Sequence, residues 1–438
     1  MKAWVLLIAA TAVGCGSELA DPGQLYLVHG EEEDPFTVDP RTERVMVDRI
    51  LSSGSKKTIH DDSAPPARID LGQGGIATFE LRGTDAAGVA RVWGRSVPIQ
   101  TAGVAGLALP LFVSRTEGFA SAPGLLRGEV GPTPALAMIG GRTLFATGGT
   151  IGERAATESY DLGLWAPVQS QFSLGCPEPP CAIRSLAAVG TTILAVGASW
   201  AIWVDLADGS NGKAEPPPGL GDWAAVAGGQ TVSAGDRGEF IVGPTRADLP
   251  SSSAVLLTPE LTLETVALAE RQGAAATWVD GRGLVLVGGS DTAAGAEVVA
   301  PGAAAGVVLP YPPDPSVGAA LVARGDSVWR LGGATDAESV ELSLNCGSNC
   351  SAAAVGAPLA LMDARAFTTD AEVVVVGVAA SGATEVKLGL SGTPLPLRVP
   401  RAAASALLLP TGHLAVVGGT QTSDGTPARN LELLPTAR

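Results

Sequence analysis

The residues best equipped for chemistry are four cysteines in two tight pairs, Cys176-Pro177-Glu178-Pro179-Pro180-Cys181 and Cys346-Gly347-Ser348-Asn349-Cys350. Thiols so placed could form disulfides, hold zinc or act as a redox dithiol, and four cysteines allow three connectivities. Neither spacing is Cys-x-x-Cys, and the only histidines are His29, His60 and His413. The usual zinc ligand pattern is therefore missing, and no metal is expected. Glu31-Glu32-Glu33-Asp34 and Asp61-Asp62 carry the carboxylates calcium takes, but they read better as solvated acidic loops. A hydrolase triad would have to draw on His413, which opens an apolar strand, and no Gly-x-Ser-x-Gly elbow occurs. No catalytic residue and no cofactor is assigned. Carbohydrate sites use open aromatic faces, a chemistry for which Trp165, Trp200, Trp203, Trp223, Trp278 and Trp329 are the candidates. Trp278 and Trp329 lie within apolar strand patterns and read as core packing. Trp200 and Trp203 stand at i and i+3, so they point to opposite faces of a strand; they are the candidate ligand contacts.

The elements that must position these residues repeat. Gly412-His413-Leu414-Ala415-Val416-Val417-Gly418-Gly419 has counterparts in Gly283-Leu284-Val285-Leu286-Val287-Gly288-Gly289, Ser327-Val328-Trp329-Arg330-Leu331-Gly332-Gly333 and Arg142-Thr143-Leu144-Phe145-Ala146-Thr147-Gly148-Gly149. Each is a turn, an apolar strand and two glycines. Weaker copies end on Gly197, Gly235 and Gly377, so the marker spacings are 49, 38, 53, 44, 45 and 41 residues. A period near 45 residues denotes a solenoid, propeller or array. Within each unit, short runs separated by Gly, Asp and Pro read as about four strands; Asp280-Gly281-Arg282-Gly283 fits a β-turn between two of them. One such sheet cannot bury both faces, whereas radial stacking buries them and leaves short edges.

The strand, double glycine and following loop resemble kelch repeats, the units of a β-propeller. The first unit carries the fuller signature, Gly148-Gly149 followed by Tyr160 and Trp165, and the resemblance covers residues 117–438. It implies an all-β chain with six or seven blades. The last unit is one strand short, and residues 118–123 resemble the missing outer strand; they are expected to complete the final blade. The cysteine pairs fall in units one and five, far apart around such a ring, so pairing of Cys176 with Cys181 and of Cys346 with Cys350 is expected. Some kelch propellers are enzymes, notably of the galactose oxidase and sialic acid epimerase types. The former needs copper held by Tyr and His and a Tyr linked to Cys, whereas this chain has three tyrosines and its cysteines are paired. A non-catalytic protein is expected.

The chain starts with Met1-Lys2, an apolar run and small residues before Cys15, the pattern of a secretory signal. Ala12-Val13-Gly14-Cys15 resembles the bacterial lipobox, with Ala12 where Leu is usual. The resemblance implies lipidation at Cys15, which supplies enough buried methylene for a membrane anchor. Gly16 rather than Asp implies sorting to the outer membrane or cell surface. Formal net charge is −16, which argues against nucleic acid or an anionic bilayer as partner. Residues 16–23 read as a tether. Residues 24–116 lack the repeat; candidate strands at 25–28, 45–50, 67–71, 77–81, 89–93 and 107–113, with a hairpin across Gly83–Gly88, suggest a small immunoglobulin-like β-sandwich. The expected division is thus 1–14 signal, 15–23 tether, 24–116 sandwich and 117–438 propeller. The expected role is a monomeric envelope or surface lipoprotein whose propeller loops bind another protein. Polysaccharide binding is the alternative, and a secreted propeller enzyme comes third.

Overall fold

In the computed structural model the described residues are 22–436 apart from 31, 73, 169–173, 245–249, 334–337, 349 and 370–371. Among them the chain is all β, with short 3-10 turns and no α-helix. Cys15 and the expected signal and tether up to residue 21 lie outside the described residues.

Residues 24–115 form two sheets. One orders Ile69–Asp70, Gln24–Val28 and Ala108–Phe112, the last two parallel; the other orders Lys56–Asp62, Arg44–Leu51, Ile76–Thr84, Ala90–Arg95 and Ser114–Arg115. Alternation dictates the burial: Ala77, Phe79 and Leu81 turn inward between Thr78, Glu80 and Arg82, and join Val45, Val47, Val92, Leu25 and Leu111 in one core. The expected hairpin is present, with Thr84 opposite Ala90. Its turn is held by Asp85, whose carboxylate accepts the Ala87 and Val89 N–H groups at 2.9 and 3.0 Å. Lys56–Asp62 escapes a reading by periodicity because Lys-Lys-Thr-Ile-His-Asp-Asp has no apolar face, and none of its residues is fully buried. It is an edge strand fastened by polar partners, among them Lys56–Asp48 at 2.9 Å and Arg44–Asp61 at 2.7 Å.

From Ala120 onward the chain is a β-propeller. Among the described residues seven antiparallel sheets of four or five strands follow one another, with innermost strands Ala135–Ile139, Ser185–Val189, Gly229–Ser233, Ala275–Val279, Ala320–Arg324, Met362–Thr368 and Ser405–Leu408. The inner strands of the first six sheets are neighbours in sequence order. Sheets six and seven share a core through Val374, Val376, Leu414 and Val416, and the seventh inner strand lies against the first. The ring is closed. Second strands such as Gly283–Val287 and His413–Val417 are buried along their whole length. They sit between two neighbouring sheets, which is why they read as continuous apolar runs; burial of each Val or Leu contributes about 1.5–3 kcal/mol. Closure uses the expected segment, because Ala120–Ser121 pairs with Glu432–Pro435 as the outer strand of the seventh sheet.

One repeat marker is corrected. Thr231 to Gly235 is not a second strand, since Gly229–Ser233 is the inner strand of the third sheet and a 3-10 turn follows at Gly235–Arg237. The second strand is Glu239–Pro244, whose Gly243 is the true counterpart; the neighbouring intervals become 46 and 45 residues. Pro244 replaces the second glycine there, and Ala234-Gly235 imitates the motif.

The double glycines have a steric cause best seen at Gly418. Its φ is +67°, and a Cβ there would come within 2.9 Å of Pro134 in the lead-in to the first sheet. Gly419 N–H then donates to the Gly131 carbonyl at 3.2 Å, and Gly289 N–H donates to the Ser316 carbonyl at 2.8 Å, so the motif welds the seventh sheet to the first lead-in and the fourth sheet to the fifth. In two sheets a buried ion pair reinforces the lead-in. Arg271 stands 3.3 Å from Glu297, donates to the Gly288 and Ala294 carbonyls, and Glu297 accepts the Ala269 N–H. Arg401 likewise pairs with Glu432, which accepts the Arg398 and Val399 N–H groups at 2.8 and 2.9 Å.

Candidate functional site

An antiparallel meander puts its first and third turns at one end of the ring and its second turn and inter-sheet connection at the other. The two ends differ. At the end of the first and third turns the N-terminal module covers sheets seven and one. Its Trp93 ring lies 5.0 Å from the His413 ring, and its Phe112 ring lies 4.7 Å from that of Trp165. His413 is fully buried, with Nδ1 3.2 Å from Thr411 Oγ1, and burial lowers its pKa to about 3. The imidazole is neutral in the folded chain at ordinary pH. The same module fastens the closing strand: Ser121 N–H donates to Glu32 at 2.6 Å, and Arg398 reaches that carboxylate at 3.3 Å.

At the opposite end long connections surround the mouth of the channel, including residues 122–134, 176–184, 215–228 and 312–319. The disulfide Cys176–Cys181 closes one of them. Cys346–Cys350 lies in the third turn of the fifth sheet, at the other end. Both pairs join as expected, and disulfides suit an oxidising, exported environment. No helix among the described residues is long and apolar enough to cross a membrane.

The channel holds a cavity of about 1040 Å³ bounded by the inner strands. Its walls are unlike. On the side of sheets two to four, side chains satisfy the open strand edges: Thr231 Oγ1 donates to the Leu186 carbonyl at 2.6 Å, and Gln230 both donates to and accepts from Ala276 at 2.9 and 3.2 Å. Glu239 accepts the Ala188 N–H at 2.8 Å. Burial raises its pKa to about 7, the backbone N–H opposing the shift. On the side of sheets seven and one the cavity is lined by Leu136, Met138, Leu407 and Leu408.

The sequence-selected residues are distributed as follows. Gly288, Gly289, Gly332, Gly333, Gly418 and Gly419 close second strands, whereas Gly148 and Gly149 lie inside Thr143–Ile151, at the register shift between Thr147 and Thr150. Trp200 does not offer a face to a ligand: it is 3% exposed and packs over Gly197. Trp203 is half-buried against the core between sheets two and three. These two are therefore packing residues, because Ala201–Asp205, which carries Trp203 and directly follows Trp200, is covered on both faces. Trp223 is buried and donates to the Ala214 carbonyl, and Trp278 stacks on Phe240. Of the acidic residues, Glu31 lies outside the described residues, Glu32 is the interdomain staple, Asp34 accepts the Phe36 N–H, and Asp61 pairs with Arg44. Among the described residues no cluster of three or more His, Cys, Asp or Glu is placed to hold a metal.

Glu239 was missed by the sequence reading, and a signal for it existed. With the third repeat correctly aligned, second strands begin at Thr143, Thr192, Glu239, Gly283, Ser327, Val373 and His413. Glu239 and His413 are the ionisable residues at that position. One faces the channel and the other the N-terminal module.

No family model matches the chain, and no curated protein matches it. Similar solved structures include that of YjhT, at 12% identity, covering 72% of this chain and 96% of that one, with a TM-score of 0.38. The WD40 domain of Neurospora crassa Pan2 is similar at 10% identity, covering 74% and 98%, with a TM-score of 0.44.

Proposed function

We propose that the protein is an exported, lipid-anchored interaction module in which a seven-bladed, kelch-like propeller binds an envelope or extracellular protein through loops at one end. In this reading residues 24–116 are an immunoglobulin-like sandwich, supported by two sheets around one core and by the parallel pairing of Gln24–Val28 with Ala108–Phe112. Cys15, lipidated after removal of residues 1–14, anchors the chain at the outer membrane or cell surface.

The observation that carries the reading is the difference between the two ends. The sandwich covers the turns of sheets seven and one, whereas the other end displays long connections on a closed, rigid ring. Loops held by a rigid scaffold are where binding residues concentrate. The first strand also runs from Gln24, the tether side, toward Val28, which packs near the propeller core. An anchored chain would therefore hold its displayed loops away from the membrane.

The test is a crosslinking pull-down from intact envelopes with tagged, lipidated full chain, analysed for protein and glycan. Stoichiometric recovery of one envelope protein is expected. Recovery of polysaccharide with no protein partner would overturn the reading. Metabolic labelling with a palmitate analogue tests the anchor, and Cys15→Ala should abolish incorporation.

A further inference from the structure

The propeller channel contains a carboxylate whose charge its structural task does not require. Glu239 caps the edge of the second sheet by accepting the Ala188 N–H. Gln230 does equivalent work on Ala276 with a neutral amide. Among the described residues no cation pairs with Glu239, and no charged neighbour contributes to its raised proton affinity, which comes from burial. An ionised carboxylate so placed is costly unless something cationic joins it. The remaining walls of the same cavity include Leu136, Met138, Leu407 and Leu408, of which Leu408 is 39% exposed. Arg184 and Arg365 also border the cavity, from the lead-in side of sheets two and six. A volume near 1040 Å³ is at the upper end of that of small-molecule sites, which combine apolar walls with few polar groups.

We propose that the channel is a binding site for an amphipathic organic cation, a primary amine or guanidinium joined to an apolar body, with Glu239 as the counter-ion and the leucine and methionine wall receiving the body. The ammonium donates a charge-assisted hydrogen bond to the carboxylate oxygen not occupied by Ala188. This site is separate from the loops assigned to a protein partner, so either reading can fail alone.

The probe is dansylcadaverine, a fluorescent primary amine, titrated into the full chain in nonionic detergent at pH 8 with protein-free micelles subtracted. Saturable binding is expected, at least about tenfold weaker for dansylamide, which lacks the amine, and for Glu239→Gln. Glutamine still accepts the Ala188 N–H, so the fold is retained. Leu408→Lys, at an exposed wall position, should weaken binding similarly by supplying a competing cation. Absence of saturable binding, or unchanged affinity in Glu239→Gln or Leu408→Lys, would overturn the proposal.

Discussion

At the scale of residues, the two ionisable groups that open second strands pull stability in opposite directions with pH. The folded pKa of His413 lies near 3, below its unfolded value of 6.5. The unfolded chain therefore takes up the proton first, and stability is lost as pH falls from about 6.5 toward 3. His413→Leu removes this linkage. Relative to the parent it should gain up to about 2 kcal/mol between pH 7 and pH 5, read by urea denaturation at both values. The folded pKa of Glu239 lies near 7, above its unfolded value of 4.5. Its contribution is present below pH 4.5 and is lost as pH rises through 7. Glu239→Gln should therefore gain about 1–2 kcal/mol over the parent between pH 4.5 and pH 8, the value discounted for channel water. A flat difference across that window would show that the carboxylate is solvated. The Arg401–Glu432 pair has no exposed surface, so Glu432→Ala should cost about 3–5 kcal/mol by stranding the guanidinium. A double Arg401→Met, Glu432→Leu variant should recover most of that loss in the same denaturation series.

At the scale of elements, the repeat was legible because fully buried second strands must be apolar throughout and their ends must be glycine where the next lead-in presses on them. The third repeat was misaligned for a local reason: Ala234-Gly235 closes an inner strand that resembles a second strand, while the real one ends in Gly243-Pro244. Lys56–Asp62 was illegible because edge strands fastened by charge carry no hydrophobic period. The channel carboxylate was invisible until the repeats were aligned, and the buried tryptophans could not be told from exposed ones without knowing that both faces of their sheets are covered. A further regularity appears only in three dimensions. The lead-in to an inner strand passes through positive φ at Thr133, Gly273, Gly318 and Ala403, and the sixth inner strand does so at Asp363, within its register shift between Met362 and Arg365. Thr133, at +45°, is β-branched and strained there. Thr133→Gly should raise stability by about 1 kcal/mol, measured by chemical denaturation. The closing strand makes the converse prediction. Ala122 N–H donates to the Leu431 carbonyl and Ser121 N–H to Glu32. Deletion of residues 119–123 should lower the melting temperature sharply, and an unchanged melt would contradict closure by that strand.

At the scale of the whole molecule, the N-terminal module does more than precede the propeller. It places Trp93 and Phe112 on the turns of sheets seven and one and holds the closing strand with Glu32. The module, the closing strand and the last sheet are thus one mechanical unit, in which the chain's two halves secure each other. That arrangement assigns the ends of the ring different tasks: one is occupied by the chain's own module, and the other presents the loops and the channel mouth. Position-resolved photo-crosslinking in intact envelopes tests this division most directly, with the photoreactive residue placed in the full chain at Arg184 or at Thr191. Both positions are exposed and flank the inner strand of the second sheet, Arg184 before Ser185–Val189 and Thr191 in the turn after it, so they lie at opposite ends of the ring. The account predicts a discrete protein adduct from position 184 and none from position 191. An adduct from position 191 alone, or equal adducts from both, would contradict it.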